Sequence, residues 1–299
     1  MTASRQLTAP AGYRLSASLG GLPFSQHDAT TRFVDGTFCW ATRTPDGPGT
    51  LTISQSDTTL TATAYGQGAQ WLVERADAVA GLRDAIDGFT ELARAHPLVA
   101  ELARTHRALR LPATGVLFPR LLRAILEQKV TGKEAYRAYA GIVRQFAEPA
   151  PGPVELVLPP DPAAVVVTPY WEFHRHGVEQ RRTQTLIRAA AHANRLQRCA
   201  DSAEASARLL AMPGIGAWTV AEVVRSVYGD PDAVSVGDYH LKNTVAYALA
   251  GEPRATDERM LELLAPFAGQ RGRVCALLER AGHAPRYGPR APIRSFARF

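Results

Sequence analysis

The sequence predicts a mainly α-helical protein with a small α+β domain at its N-terminus. Residues 1–70 are rich in Thr, Ser and Gly and alternate between polar and apolar side chains, which is typical of antiparallel strands. From about Gln70 onward, apolar residues recur at the three- and four-residue spacing of amphipathic helices. With 299 residues, 46% of them hydrophobic, the chain can bury a full core, which excludes a disordered chain and a disulfide-stapled miniprotein.

The N-terminal region contains two candidate hairpins. Residues 50–54 and 59–65 read as two strands on either side of a turn at Gln55–Asp57. In RFVDGTFCWATRT, the turn Asp35–Gly36 separates two β-rich runs, and Asp-Gly is a favoured two-residue hairpin turn. We expect these strands to form a small antiparallel sheet.

Helices are predicted from about Gln70 to about residue 281, with one interruption. Pro97 suits the first position of a helix, and further helices are expected over about 178–195 and 202–212. Asp201 with Glu204 three residues later resembles a capping box. The stretch EPAPGPVELVLPPDP is rich in helix breakers and predicts a loop or linker.

Charge is distributed unevenly along the chain. There are 34 Lys and Arg residues against 28 Asp and Glu, a net charge of +6. Residues 101–200 carry 15 basic and 8 acidic residues, so a phosphate backbone is expected to lie across this third of the chain. An arginine-rich composition would also give a basic chain without such a partner.

The cysteines and the apolar runs exclude several classes of protein. Cys39, Cys199 and Cys275 are far apart and form no CxxC pair, so the sequence offers no ligand set for zinc or an iron–sulfur cluster. We expect buried free thiols in a reducing compartment. The N-terminus lacks a signal-peptide core and no apolar run is long enough to cross a bilayer, so we expect a cytoplasmic protein without membrane contact.

The most informative segment is residues 209–243, which has MPGIG at its centre. The glycines of this motif permit a tight turn that approaches a ligand closely, and a second helix begins just after it. Unpaired N–H groups at that helix start form an anion site suited to a DNA phosphate. The candidate phosphate-binding residues are Gly214, Ile215, Gly216 and Ala217. An ordinary αα-hairpin with glycines in its turn would show the same pattern.

Asp238 is the candidate catalytic residue. It follows the β-like run AVSV and precedes the helical run YHLKNTVAYALA, so we expect it at a helix N-cap. A plain N-cap, which contributes about 1 kcal/mol of stability, would by itself explain an aspartate here.

The hairpin, the helix after it and Asp238 together resemble the helix–hairpin–helix DNA glycosylase superfamily. The segments GIGAWT and GDYHLK are most similar to the DNA-3-methyladenine glycosylase II family, and LLRAILEQKVTGKEAYRAYAGIVRQF is similar to the family's helix that opens the DNA-binding core. The resemblance covers about residues 116–282. It implies an N-terminal α+β domain of the TATA-binding-protein type at residues 1–95, an all-α core of two helical subdomains at 96–285, and a basic tail at 286–299.

The resemblance implies a reaction that one carboxylate can support. An N3- or N7-alkylated purine already carries positive charge and leaves as a neutral base, so Asp238 would need only to stabilise the sugar cation or to position water. Trp218 and Tyr239 match positions that line the base pocket, where cation–π attraction favours a cationic base; each could instead pack its own helix. Trp218 also stands where bifunctional relatives carry a Schiff-base lysine, so no strand cleavage by β-elimination is expected.

Several positions depart from the family pattern. Lys129 stands where an apolar wedge fills the gap left by a flipped base; Gln128 is the alternative wedge, and Lys129 would then bind phosphate. Glu222 replaces a pocket tyrosine, four residues after Trp218 on the same helix face. We interpret Glu222 as a pocket residue that tunes substrate choice, with a solvated charge as the alternative. The family's aromatic residue on the final helix is missing near Ala281.

Two groups of side chains remain. Arg181, Arg182 and Arg188 fall on one predicted helix ahead of the hairpin and are either phosphate contacts or a solvated basic face. His174 and His176 have no acidic or cysteine partner at metal-ligand spacing, so we expect no catalytic metal and no cofactor. The resemblance implies at most one structural monovalent cation on the hairpin carbonyls.

The sequence therefore predicts a monomeric, monofunctional DNA glycosylase that removes alkylated purines from double-stranded DNA in base-excision repair. Two alternatives stay open. One is a non-catalytic helix–hairpin–helix protein that senses distorted duplex, and the other is a glycosylase for deaminated or oxidised bases.

Overall fold

The computed structural model describes residues 1–287 of the chain. An N-terminal antiparallel sheet is followed by a helical core, which confirms the predicted fold class. The basic tail predicted for residues 286–299 lies outside the described residues from position 288 onward. Within residues 1–287, no helix combines the length and the apolar character needed to span a membrane.

Five strands form one sheet in which every neighbouring pair is antiparallel. The strands are β1 (Thr2–Thr8), β2 (Thr31–Val34), β3 (Thr37–Thr44), β4 (Gly47–Ser56) and β5 (Thr59–Gly66), in the spatial order β1-β5-β4-β3-β2. Both predicted hairpins are present. Asp35 and Gly36 have φ values of 47° and 77°, as a two-residue turn of the favoured mirror-image type requires.

The sequence patterns do not predict strand β1. Its residues TASRQLT are almost all polar, and only Leu7 is fully buried. β1 pairs along its whole length with β5, from Thr2 opposite Tyr65 to Thr8 opposite Thr59. Because an edge strand contributes little to the core, it lacks the apolar alternation by which strands are recognised.

The helices found within residues 1–287 are shorter than the periodicity of apolar residues suggests. They are α1 (Leu15–Leu19), α2 (Ala69–Glu74), α3 (Ala76–Val79), α4 (Phe89–Ala93), α5 (Pro97–Thr105), α6 (Leu117–Leu126), α7 (Gly132–Gln145), α8 (Pro162–Val167), α9 (Gln180–Ala191), α10 (Ala193–Gln197), α11 (Ser202–Leu210), α12 (Ala217–Val227), α13 (Leu241–Ala250), α14 (Asp257–Leu264) and α15 (Arg271–Arg280), with 3₁₀ helices at Tyr170–His176 and Ala265–Phe267. Pro97 begins α5 as predicted. The helix expected over 178–195 is interrupted at His192.

Within residues 1–287, three large hydrophobic clusters and one small one make up the core. The first lies between the sheet and helices α1–α3 and includes Phe38, Ile53 and Leu72. The second is formed mainly by helices α6–α12, which makes it the first helical subdomain. The third joins α4 and α5 to α13–α15, so the second helical subdomain is built from two separate parts of the chain. The domain boundary predicted at residue 95 falls between α4 and α5, although both belong to this third cluster.

The breaker-rich stretch at 148–162 is largely a loop, as predicted, but it is not a free linker. Leu156 and Leu158 are buried and pack with Cys39 and Ala41 of β3, so the loop covers one face of the sheet. Its conformation is held by a bridge between Pro149 and Val157.

Candidate active site at the hairpin and the Asp238 loop

The hairpin predicted from MPGIG joins α11 to α12. Met212 and Ile215 are buried in the core of the first helical subdomain, which anchors the turn. Gly214 has a φ of 93°, and a Cβ at this position would lie 2.2 Å from the Thr185 hydroxyl on α9, so only glycine fits. Gly216 is the N-cap of α12 and has open space around it, so its phosphate contact stays a prediction.

Two side chains from other helices hold the carbonyls of this turn. Arg188 on α9 donates to the Pro213 carbonyl at 2.7 Å, and Gln128 donates to the Gly214 carbonyl at 3.0 Å and to Thr219 Oγ1 at 2.9 Å. The Met212 carbonyl accepts the Ile215 N–H. The carbonyls of Met212, Pro213 and Gly214 thus each accept a hydrogen bond from the protein, and the donor to Pro213 is a positively charged arginine. Each of these carbonyl oxygens keeps a second lone pair, so the structural monovalent cation that the resemblance implies stays a prediction.

Gln128 and Lys129, the two candidate wedge residues, have different environments. Gln128 is partly buried and its amide is committed to the hairpin. Lys129 is exposed just after α6 and has a φ of 55°, a left-handed conformation that is uncommon for a residue other than glycine. Lys129 is therefore the more accessible of the two for contact with DNA.

Asp238 lies in the loop between α12 and α13, and its carboxylate accepts three N–H groups. Oδ1 accepts from the backbone of His240 at 2.7 Å and of Leu241 at 2.9 Å, which caps the first turn of α13. The capping role predicted for Asp238 is present, although α13 itself begins at Leu241. The preceding AVSV run is a loop and not a strand.

Trp218 supplies the third donor. Its indole nitrogen on α12 donates to Oδ2 of Asp238 at 3.0 Å, so the structure brings these two predicted site residues into direct contact. The Trp218 ring is half-buried and packs against the core of the first helical subdomain. Asp238 is also half-buried, and its neighbour Gly237 is exposed, so the loop is at the protein surface.

Tyr239 lies beside Asp238 but is 74% exposed. Its ring contacts His240 edge-on, with ring centroids 4.9 Å apart, and Tyr287 lies against both rings. The Tyr287 hydroxyl donates to the His240 carbonyl at 3.3 Å. The predicted pocket aromatic is thus part of an exposed aromatic group, and two of its members, His240 and Tyr287, were not recognised from the sequence.

Glu222 does not have either of the roles considered for it. It is only 9% exposed and pairs with Arg120 of α6 and with Arg225, whose guanidinium lies 2.8 and 2.9 Å from its two oxygens. Burial would raise the pKa of Glu222, but the charges of Arg225 and Arg120 outweigh it and hold the pKa below its ordinary value. The interpretation as a substrate-tuning pocket residue is therefore wrong, and so is the solvated alternative.

The three arginines of α9 have three different environments. Arg181 is exposed and is available to a phosphate. Arg182 is 4% exposed, pairs with Glu179, and donates to the carbonyls of Leu126 and Gly177. Its phosphate contact was wrongly predicted, because the guanidinium is used to join α6 to the start of α9. Arg188 holds the hairpin, as described above.

Glu279 of α15 is a titratable residue near Asp238 that the sequence analysis passed over. Burial raises its pKa; Arg225 opposes this rise, while the carboxylates of Glu222 and Asp238 add to it. Near this position, the sequence pattern indicated only the missing aromatic residue at about Ala281, two positions after Glu279. An acidic residue near a helix end is common, so nothing in the pattern pointed to this one.

Two recesses of the surface lie away from Asp238. A small cavity between the sheet and the helical core is lined by Arg120, Arg123 and Tyr139, among others. An open groove runs along Val167, Trp171 and neighbouring residues. Neither includes Asp238, so neither is the base pocket expected beside it. Within residues 1–287, no group of three His, Cys, Asp or Glu side chains could hold a metal ion.

Comparisons with known proteins agree with this geometry at the level of the fold. No family model matches the sequence, and no curated protein matches it. Among solved structures, 3-methyladenine DNA glycosylase from Archaeoglobus fulgidus superimposes with a TM-score of 0.79 at 14% identity, over 93% of this chain and 98% of that one.

Two further structures extend the comparison. The 8-oxoguanine glycosylase/lyase of Clostridium acetobutylicum, in complex with double-stranded DNA, gives a TM-score of 0.69 at 10% identity, over 93% of this chain and 96% of that one. The 3-methyladenine DNA glycosylase of Schizosaccharomyces pombe, in complex with abasic DNA, gives 0.52 at 18% identity, over 66% of this chain and 97% of that one.

The chain therefore has the fold of the helix–hairpin–helix DNA glycosylases, as the sequence motifs predicted. Its structural neighbours include both 3-methyladenine and 8-oxoguanine types.

Proposed function

We propose that this protein is a monofunctional DNA glycosylase that removes alkylated purines from double-stranded DNA in base-excision repair. The observation that carries the proposal is the contact between Trp218 and Asp238, which presents a surface carboxylate beside a hairpin suited to a DNA phosphate. Glycosylase neighbours of the same fold, two of them bound to DNA, support DNA as the partner.

The chemistry suits a cationic leaving group. A damaged nucleotide must leave the base stack before its glycosidic bond can be cleaved. This costs a few kcal/mol, and less where the damage has weakened the base pair. As the C1′–N bond breaks, positive charge develops on the sugar, and Asp238 is the residue that faces it with a free lone pair on Oδ2. A purine alkylated at N3 or N7 already carries positive charge and leaves without a proton, so no general acid is required.

The lysines of the chain support a monofunctional enzyme. The whole sequence contains three, Lys129, Lys133 and Lys242. Lys242 is four residues from Asp238, but its ammonium group pairs with Asp257 at 3.3 Å. Trp218 occupies the place of a Schiff-base lysine and cannot form an imine with the sugar, so β-elimination is not expected.

The test is base release from damaged DNA by wild-type protein and by Asp238→Asn. DNA treated with a methylating agent, and oligonucleotides containing hypoxanthine or 8-oxoguanine, are incubated with each protein, and the free bases are identified by mass spectrometry. We expect the wild type to release methylated purines without cutting the strand, and Asp238→Asn to bind the same DNA but release none. Binding without base release by either protein would favour a non-catalytic damage sensor, and equal release by both would remove the catalytic role of Asp238. Release of only 8-oxoguanine or hypoxanthine would overturn the alkylated-purine assignment.

A further inference from the structure

A second contact joins α12 to the loop that carries Asp238. Glu222 lies one helical turn beyond Trp218, and its Oε1 accepts the hydroxyl of Ser235 at 2.6 Å. Both residues are buried, with Ser235 only 3% exposed. The same helix therefore holds the loop at two places, through Trp218 at the Asp238 carboxylate and through Glu222 at Ser235.

Ser235 begins the turn that presents Asp238. Its carbonyl accepts the Asp238 N–H at 3.1 Å, which closes a four-residue turn. Gly237, the third residue of that turn, has a φ of 92°, a value that favours glycine. A shift of Ser235 would therefore move the Asp238 backbone with it.

Glu222 is itself fixed from two sides. Arg225 contacts both carboxylate oxygens, and Arg120 pairs with the carboxylate and also donates to the Glu222 main-chain carbonyl at 2.9 Å. Arg120 belongs to α6, whose C-terminal end leads into Gln128 and its bond to the Gly214 carbonyl. The charge cluster thus connects the loop to the helix that also supports the hairpin.

We propose that Glu222 is a positioning residue for Asp238, acting through the Ser235 hydroxyl to fix the turn on which the carboxylate stands. The inference rests on the proposed glycosylase activity. A buried ion cluster is weak evidence for stability, and in some proteins such groups fix one geometry, which is the role that we assign to this cluster. Both carboxylate oxygens of Glu222 already have partners in Arg120, Arg225 and Ser235, so its proposed role is to position Asp238.

The test removes the link without disturbing the ion pairs. Ser235→Ala deletes the hydroxyl but leaves Glu222 paired with Arg120 and Arg225. Ser18→Ala is the matched control, because Ser18 is also buried and its oxygen accepts one backbone N–H, that of Arg110, in the N-terminal part of the chain. Each protein is assayed for single-turnover base release and for its Kd on the same DNA.

A second measurement does not depend on activity. The resonance of the Trp218 indole N–H, identified by its loss in Trp218→Phe, reports the hydrogen bond to Asp238. The chemical shift of this N–H in the absence of the hydrogen bond is measured in Asp238→Ala. We expect the resonance in Ser235→Ala to move toward this position and that in Ser18→Ala to stay at the wild-type position.

We expect Ser235→Ala to lower the rate of base release by about tenfold, the size of effect that loss of one hydrogen bond to a charged group produces, with an unchanged Kd. Combining it with Glu222→Leu should cost no more than Glu222→Leu alone, since leucine has no acceptor for the Ser235 hydroxyl and either change removes the same bond. Base release and a Trp218 resonance that both match Ser18→Ala would overturn the positioning role. If the wild type releases no base from any DNA, the proposed function fails, and the Trp218 resonance alone decides the inference.

Discussion

The indole N–H of Trp218 lies 3.0 Å from Oδ2 of Asp238, across the junction between the hairpin helix and the loop before α13. An aromatic residue that the sequence placed in the base pocket therefore also orients the candidate catalytic carboxylate. The ring and the N–H group of Trp218 have separable functions, since phenylalanine retains an aromatic face and lacks the donor.

Replacing Trp218 by phenylalanine should slow base release by about 10-fold to 100-fold, because Oδ2 of Asp238 loses the donor that orients it, while Oδ1 keeps its two backbone donors. DNA affinity should change little. Single-turnover kinetics with damaged oligonucleotides measure the effect. Trp171→Phe is the control, since Trp171 is 59% exposed and remote from the loop. A full rate for Trp218→Phe would show that the hydrogen bond has no catalytic role.

The two hairpin glycines should respond differently to alanine. Gly214→Ala forces a side chain into a left-handed backbone conformation and against the Thr185 hydroxyl, so we expect a loss of about 2 kcal/mol or more. Gly216→Ala, in open space with an ordinary φ, should cost about 1 kcal/mol or less, since glycine is only a moderately better N-cap than alanine. Urea unfolding of the two variants measures the difference. Equal midpoints would contradict the packing described for Gly214.

Alanine substitutions of two neighbouring arginines on α9 should have different effects, one on DNA binding and the other on stability. Arg181→Ala should weaken DNA binding and reduce the dependence of log Kd on log salt by about one charge. Arg182→Ala should leave that salt dependence unchanged but lower stability by about 3 kcal/mol, because the carbonyls of Leu126 and Gly177 lose a buried charged donor. Fluorescence anisotropy at several salt concentrations and thermal melting measure the two effects.

Arg5→Ala is the control for lost charge, since Arg5 lies on strand β1 of the sheet. A salt dependence for Arg181→Ala equal to that of Arg5→Ala would place the phosphate backbone elsewhere.

Glu222 should contribute to stability against acid. Its pKa in the folded protein lies below the ordinary value of 4.5, despite burial, because Arg225 and Arg120 stabilise the charged form. Its stabilisation is therefore complete above pH 4.5 and is lost as the pH falls through the lowered folded pKa. The melting temperature of the wild type should fall more steeply in this acidic range than that of Glu222→Gln, which should already be less stable at pH 7 by about 3 kcal/mol.

Glu155→Gln, at an exposed position, should keep the steepness of the wild type. Parallel curves for the wild type and Glu222→Gln would mean that the carboxylate carries no charge-dependent stability.

The parts of this molecule that local sequence determines were predictable. The Asp35–Gly36 turn and the MPGIG hairpin depend on backbone conformations that only a few residue types adopt, and Asp238 caps the next helix through neighbours two and three residues away. These features can be inferred from a short window of sequence.

The incorrect predictions concern residues whose environment depends on partners far away in the sequence. Glu222 was assigned to the pocket because of its position relative to Trp218, whereas its environment is decided by Arg120, which is 102 residues away. In the sequence, nothing distinguishes Arg182 from the two other arginines of its helix. In the fold, the end of α6 lies beside Arg182 and accepts its hydrogen bond. Charge, spacing and helix face say nothing about which side chain will find a buried counter-charge across the core.

The second helical subdomain has a consequence for biosynthesis. Helices α4 and α5 leave the ribosome well before α13–α15, yet their apolar residues, such as Phe89, Val99 and Leu102, are buried only when those later helices arrive. During translation this surface stays open to the solvent while the first helical subdomain, made from one continuous stretch, can already close. The nascent chain thus exposes these apolar residues until helices α13–α15 have been made, and a chain that ends before them would keep this hydrophobic surface uncovered.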